Sequence, residues 1–375
     1  MADMVAAEKK LELPLKEVLK ETIRLKGPQG VDAFHASCLY HPLHGYYQTQ
    51  AVLGQCGDFT TAPEVSPLFG DIVGAFFLNQ WLAAQSPSAL TIIELGPGLG
   101  TLMEGLLRVG KLRPAFLKAI DLRLVDVHPL LKKEQRKKLA PFASVVNSMK
   151  HCASVEEIAC ADGPVFVLAN EFFDVLPHKQ YQKKSGAWAE RVVDLDPQGE
   201  FSWKHDAQSV PQRADPALLA RYAEGMVYEE SQALDAAMHS VCCLLQKQGG
   251  CALLIDYGYS APALTQEGFL GDSWQGLLKG QHVSPFAYPG CADLSFHVNF
   301  KQLALCAEKA GHKVALQTQR DFLYACGLKQ RLEALRPQLS AKEYAVLEAG
   351  VLRLTHPLQM GTLFKVLTLQ AVPQT

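Results

Sequence analysis

The chain of 375 residues has no apolar run of the roughly 20 that a membrane-spanning helix needs. It also has no Cys-x-x-Cys pair, although it carries ten cysteines. A zinc ribbon or thioredoxin-type motif is thereby excluded, and the scattered thiols are expected to be reduced and largely buried. Net charge is small, −2 at neutral pH, so there is no basic footprint for nucleic acid or an anionic membrane. The first 26 residues lack the acid-poor character of a transit peptide, since Glu8, Glu12, Glu17 and Glu21 stand among the lysines. They also lack the apolar core of a signal peptide. A cytoplasmic location, no membrane insertion and no nucleic-acid partner are the expectations. Internal repeats are absent, and no spacing suggests a metal site.

A charged fraction of 20% beside 48% hydrophobic residues suits a globular protein with a substantial core. The most informative stretch is Thr91-Ile92-Ile93-Glu94-Leu95-Gly96-Pro97-Gly98-Leu99-Gly100-Thr101. Its first half reads as a short apolar strand with no solvated face, suited to the centre of a parallel sheet. Glycines at alternate positions follow, and Leu102–Arg108 then opens a helix. Strand, glycine turn and helix N-terminus form a cradle where a ligand can touch bare backbone. Counting from Gly96, the sixth position is Thr101, so the dinucleotide fingerprint is incomplete. No Gly-Lys-Ser/Thr ending is present, so a P-loop is excluded. The pattern Glu-x-Gly-x-Gly-x-Gly resembles the first motif of the class I S-adenosylmethionine (SAM) methyltransferases. A glycine-rich turn without a ligand is the bland alternative.

Taken in order, Leu13–Leu25 has helical spacing, and Gly27–Gln48 reads as an ordered, irregular segment. The loop Gly57–Gly70 admits two readings, a capped helix start or a wall of the cofactor site. Leu122–Val127 is the second strand, and Asp126 stands 26 residues beyond Gly100. Nucleotide folds place a ribose-binding carboxylate about 20 residues on. Chain order therefore favours a ribose role for Asp126 over a solvated strand end. Leu130–Leu139 reads as a basic helix with a solvated face, and Ala143–Val146 as the third strand. Pro164–Ala169 is the fourth, ending in Asn170-Glu171-Phe172-Phe173-Asp174. Chemistry in open α/β sheets gathers beyond the carboxyl ends of the strands. A sheltered pocket for a cationic or amino nucleophile stands here beside the plainer reading, an acidic loop capping a helix.

From Gln180 to Trp203 alternating short runs predict an antiparallel insertion. Glu229–Gln248 is read as a helix and Cys251–Tyr259 as the fifth strand. Ser260–Asn299 is irregular and long enough to suggest a substrate lid. Helices at Leu303–Ala310, Asp321–Leu335 and Ala341–Gly350, with strands at Val314–Gln317 and Thr362–Leu369, complete a doubly wound α/β, Rossmann-like sheet. The expected division is 1–85, a helical and irregular segment with the cofactor-wall loop, and 86–375, the catalytic domain. Insertions are placed at about 180–225 and 258–300 within that domain.

Taken together, His44–Tyr47, Gly57–Glu64, Glu94–Met103, Asn170–Pro177, Asp256–Gly258, Asp293–Ser295 and Met360–Lys365 make the chain similar to the MidA-like family. These are bacterial relatives of a mitochondrial complex I assembly factor that is a protein arginine methyltransferase. The resemblance spans nearly the whole chain. It implies a seven-stranded SAM methyltransferase sheet and a protein arginine as acceptor, with a hydrophilic complex I subunit as a partner. A homodimer is compatible with it. It also implies that Gly57, Asp58, Thr60, Thr61, Glu94, Gly96, Gly98, Gly100, Asp126 and Asn170 bind the cofactor. Three positions depart from the family: Asp126 replaces Glu, Asn299 replaces Asp, and Arg320 replaces Gly.

Methyl transfer from SAM is an in-line displacement that needs alignment and exclusion of water but no metal. A guanidinium is a poor nucleophile, because its lone pairs are delocalised and it stays protonated. A carboxylate pair can localise electron density on one nitrogen and accept the proton. Glu171 and Asp174 are the candidates for that work, with Asn170, Asp256 and His297 supporting them. Two other readings remain: an amino methyltransferase for a small molecule, and a SAM-binding assembly factor with little catalysis. The Asn/Asp-Pro-Pro-Tyr/Phe motif of nucleobase enzymes is absent.

Overall fold

The computed structural model describes residues 14–49, 61–158, 162–260 and 271–372. The described residues fall into two compact units. One draws on 14–49, 174–235 and 271–297, the other on 61–158, 162–173, 236–260 and 298–372.

The second unit is built on a twisted sheet. Its main strands are β1 Leu90–Leu95, β2 Ile120–Val125, β3 Ser148–Cys152, β4 Val165–Asn170, β5 Gly250–Tyr259, β6 Lys313–Thr318 and β7 Phe364–Gln370. The spatial order is β6-β7-β5-β4-β1-β2-β3, with a two-residue strand, Val298–Asn299, beside the end of β5. Only β7 runs against its neighbours; the pairs from β5 across to β3 are parallel. Every residue of β1 and β2 is buried, as strands covered on both faces require. The order reverses beside β1: the chain goes out to β3, then returns to β4 on the other side. That switch opens a crevice beyond the carboxyl ends of β1 and β4.

One face of the sheet, with Ile92, Leu122, Leu124, Phe166, Leu168, Leu253 and Ile255, packs on the helices α1 Pro67–Ala83 and α2 Thr101–Gly110. These helices touch backbone to backbone. A Cβ on Gly105 would lie 2.7 Å from the Gly70 Cα, so neither position has room for a side chain. Asp71 on α1 adds a polar tie. Its two oxygens accept separately from Arg108 of α2 (2.6 Å) and from Arg331 (2.9 Å) of the helix Leu328–Leu335.

The first unit holds an antiparallel sheet in which Ala187–Leu195 pairs with Lys179–Lys184 and Phe201–Asp206, while Val227–Glu230 extends the Lys179–Lys184 edge. The predicted β insertion is therefore present. Its core joins Leu15, Leu19 and Ile23 of the helix Pro14–Lys26 to Phe34, Val193, Trp274 and Phe296.

Several elements differ from expectation. Residues 31–40 form a helix, Val31–Tyr40, whose buried Val31, Phe34, His35, Cys38 and Leu39 follow helical spacing. The neighbouring Gly and Pro residues disguise it. Ala143–Val146 is a turn after a short 3₁₀ segment, and the true third strand, β3, lies further on. As an edge strand β3 is polar and half exposed, so hydrophobicity does not announce it. Glu229 and Glu230 end a strand, and the helix begins at Gln232. The stretch read as an irregular lid contains a three-stranded antiparallel sheet formed by Gln275–Leu278, Gln281–Val283 and Asp293–Ser295. The helix expected over 321–335 is broken at Gly327, which adopts φ +92. Among the described residues no helix is long and apolar enough to cross a membrane. The eight cysteines described there are all free thiols.

Candidate active site

The turn after β1 is left-handed at each of its glycines, with φ +63 at Gly96, +52 at Gly98 and +78 at Gly100. Only glycine takes these values without strain. The Gly96 amide donates to the Val125 carbonyl of β2 (3.0 Å), and Gly100 is the N-cap of α2. A Cβ on Gly96 would meet the Phe172 ring at 3.0 Å, so this turn and the loop after β4 are in close contact. Backbone N–H groups at the start of α2 face the crevice end of the sheet, where the helix dipole favours negative charge.

Glu94 points from β1 and is 2% exposed. Its Oε2 has no hydrogen-bond partner among the described residues. Burial, with the nearby Asp126 carboxylate adding to it, pushes the carboxyl up to about 8. An orphaned buried acid is costly unless something arrives to pair with it. Asn170, at the end of β4, likewise keeps its Oδ1 unpartnered among the described residues. Asp126 follows β2. Its Oδ1 accepts from the His128 amide (2.8 Å) and its Oδ2 from Gln135 Nε2 (2.7 Å). Each oxygen retains a second lone pair with which to receive a hydroxyl.

These features fit SAM. Orphaned acceptors suit its ammonium and hydroxyl groups, and the glycine turn allows close approach. Thr61 lies beside this region as the N-cap of the short helix Ala62–Val65, without a side-chain capping bond. Gly57, Asp58 and Thr60 lie outside the described residues.

Glu171 is held at several points of the β4 loop. It adopts φ +51, a strained value for a side-chain-bearing residue. Its amide donates to the Ile255 carbonyl of β5 (2.9 Å). Its Oε1 accepts from the Ala62 amide (3.1 Å) and from Asn170 Nδ2 (3.0 Å). Asp256 is fully buried and latches the loop, accepting from the Phe173 amide (3.0 Å) and the Tyr257 amide (2.9 Å). Its described bonds make it a positioning group for the Glu171 loop.

Asp174 and His297 fall in the first unit. Asp174 is buried and its carbonyl accepts from the Phe296 amide (2.8 Å). The His297 amide donates to Ser273 Oγ (3.0 Å), and that hydroxyl donates to Glu229 (2.5 Å). Glu229 is itself pushed up to about 7 by burial. Asn299, by contrast, is a helix cap. Its side chain accepts from the Gln302 amide (3.2 Å) at the start of Phe300–Lys309. Asn and Asp serve equally well as N-caps, which accounts for that departure without invoking the acceptor.

The sequence reading misses Gln135 and His151. Gln135 lies on α3 Pro129–Leu139, a helix read as solvated because of its lysines, yet Gln135 is fully buried. Its four-residue spacing from Leu131 and Leu139 places it on the buried line of the helix and could have revealed it.

A raised carboxyl has a measurable consequence. Unfolded Glu titrates near about 4.3. The stability that Glu94 contributes to the ligand-free protein is therefore present below that pH and is lost as pH rises through about 8. A bound cation favours the ionised form, so SAM binding at pH 7 is expected to release close to one proton. Calorimetry in two buffers of different ionisation enthalpy reads this directly. Glu94→Gln should abolish the difference, and equal heats for the wild type would refute the linkage.

The sheet order, the glycine turn and the acids within β1 and after β2 together define a SAM-dependent methyltransferase of the doubly wound α/β class. The chain belongs to the S-adenosyl-L-methionine-dependent methyltransferase family whose model matches residues 72–318. It is 30% identical over 378 residues to the mouse mitochondrial protein arginine methyltransferase NDUFAF7, covering 96% of this chain and 84% of that protein. The zebrafish counterpart is 29% identical over 369 residues, covering 93% and 86%. A Burkholderia thailandensis protein crystallised with S-adenosyl-homocysteine superposes with a TM-score of 0.81 at 25% identity, covering 98% of this chain and 93% of that one.

Proposed function

We propose that this methyltransferase acts on a guanidinium nitrogen of an arginine in a protein partner. The observation that carries the proposal is Glu171. It is an acid held in strained backbone at the end of β4, beside the glycine turn, with one oxygen fixed by two N–H donors. Strained backbone of this kind clusters at active sites and ligand clamps. Curated relatives named protein arginine methyltransferases support the acceptor class.

When bound, SAM supplies an electrophilic methyl group on its sulfonium. Glu94, Asp126, Asn170 and the turn Gly96–Gly100 would hold it, and Gly57, Asp58, Thr60 and Thr61 are the further cofactor residues that the family resemblance implies. Glu171 orients the guanidinium through charge-assisted hydrogen bonds and accepts the proton that the attacked nitrogen gives up. Asn170 supports Glu171, and Asp174 and His297 are the further acceptor-side candidates that the sequence offers. Asp256 keeps the loop in place from behind. The reading extends to a hydrophilic subunit of respiratory complex I as the acceptor, to the cytoplasm as the location, and to a homodimer.

The test is transfer of tritium from methyl-labelled SAM into protein, with the purified hydrophilic complex I subunits as acceptors. Label in one subunit, recovered as methylarginine after hydrolysis, is the expected result. SAM binding without label in any protein would favour an assembly factor with little catalysis. Label confined to small amines would favour the small-molecule reading.

A further inference from the structure

Gln135 makes three hydrogen bonds with one amide group. Nε2 donates to the Gly98 carbonyl (2.8 Å) and to Asp126 Oδ2 (2.7 Å), and Oε1 pairs with His151 Nε2 (2.8 Å). The orientation of the amide follows from the chemistry. Both the carbonyl and the carboxylate are acceptors, so only the NH₂ end can face them. His151 Nε2 therefore carries a proton and donates to Oε1. His151 lies on β3, where burial first, then Arg136 and Lys132, lower its pKa against the opposing pull of Asp126. It is thus kept neutral near pH 7, and Nε2 is its donor. The Gln135 backbone also packs under the turn, 3.6 Å from where a Cβ on Gly100 would lie. Gln135 is fully buried, so no water competes for these bonds.

We infer that Gln135 is the positioning residue that sets the cofactor site's internal spacing. One planar group, anchored from behind by His151, links the middle of the glycine turn to the carboxylate after β2. The methionine half of the cofactor and its ribose are thereby held at a fixed separation by a side chain that touches neither. A neutral amide suits this work. A carboxylate there would repel Asp126 and the Gly98 carbonyl, and a lysine would neutralise Asp126 and compete with the ribose hydroxyls. An apolar side chain would leave the Gly98 carbonyl and one carboxylate oxygen without their donor in a buried place. The inference rests on the reading that Asp126 receives the ribose hydroxyls.

The test is a double-mutant cycle on S-adenosyl-homocysteine affinity, measured by calorimetry with Gln135→Met, Asp126→Asn and the pair, alongside thermal melts. Gln135→Met keeps length and volume and removes both donations. Each single change is expected to weaken binding roughly tenfold or more. The pair should be little worse than either single variant, because each removes the same linked arrangement. Gln135→Glu supplies a readout that packing alone would not move. Its affinity relative to wild type at the same pH should recover as pH falls from 8 to 5.5, since a protonated carboxyl can donate to Asp126, while the loss from Glu94 taking up its proton is common to both proteins and cancels in the ratio. If Asp126→Asn binds within twofold of wild type, the ribose reading fails and the inference falls with it. If Asp126→Asn weakens binding but Gln135→Met does not, or the two losses are additive, the ribose reading stands and Gln135 is only a packing residue.

Discussion

Glu171→Gln is expected to reduce methyl transfer by about 10²- to 10⁴-fold, the range for losing a general base, while cofactor affinity stays within a few-fold. The substitution is nearly isosteric. A carboxamide oxygen can still accept from the Ala62 amide and Asn170 Nδ2, the two bonds that fix Oε1. The backbone at φ +51 is held by the Ile255 carbonyl and by the Asp256 latch on Phe173, neither of which the change touches. What is lost is the negative charge and the capacity to take a proton. A guanidinium stays protonated at neutral pH unless a base acts on it, so the loss should appear in kcat. The measurement is single-turnover transfer of labelled methyl, with S-adenosyl-homocysteine titrated in parallel. Unchanged turnover would remove Glu171 from the reaction. A parallel collapse in cofactor affinity would reassign it to cofactor binding.

Much of the fold was legible because its signals are physical and local. β1, β4 and β5 are continuous apolar runs, as strands buried on both faces must be. The glycine turn declares itself by residues that alone tolerate positive φ. Less legible were elements whose sequence serves an edge or a surface. β3 is polar because it closes the sheet, and Val31–Tyr40 is hidden by its flanking Gly, Pro and His residues. The acids of the site were visible at strand ends, yet their states were not. That Glu94 Oε2 is orphaned and its carboxyl pushed up to about 8 depends on burial and on Asp126, and those two acids are 32 residues apart in sequence. The strain at Glu171 and the three-way amide of Gln135 arise from tertiary contacts that no local pattern encodes. Asn299 departs from the family's Asp, and what the sequence could not show is that its side chain caps the helix Phe300–Lys309.

Gly98→Val is expected to abolish measurable cofactor binding, a loss of at least about 100-fold. Two effects combine. Gly98 sits at φ +52, where a β-branched residue is strongly disfavoured, so the turn must either strain or change shape. If it changes shape, the Gly98 carbonyl leaves Gln135 and the tie to Asp126 weakens. If it keeps its shape, an isopropyl group occupies the bare backbone that the ligand approaches. Strain alone would also lower stability, so the prediction needs a control with equal strain and no cofactor. Gly249→Val supplies it. Gly249 follows the helix Gln232–Gln248 at φ +69, and a Cβ there would meet nothing within 4 Å. Both variants should melt lower than wild type by comparable amounts, roughly the 1–3 kcal/mol of a strained backbone position. Only Gly98→Val should lose S-adenosyl-homocysteine. If both variants bind normally, the turn is not where the cofactor approaches. If both lose binding together, global destabilisation is the cause, and the glycine turn has no special place in recognition.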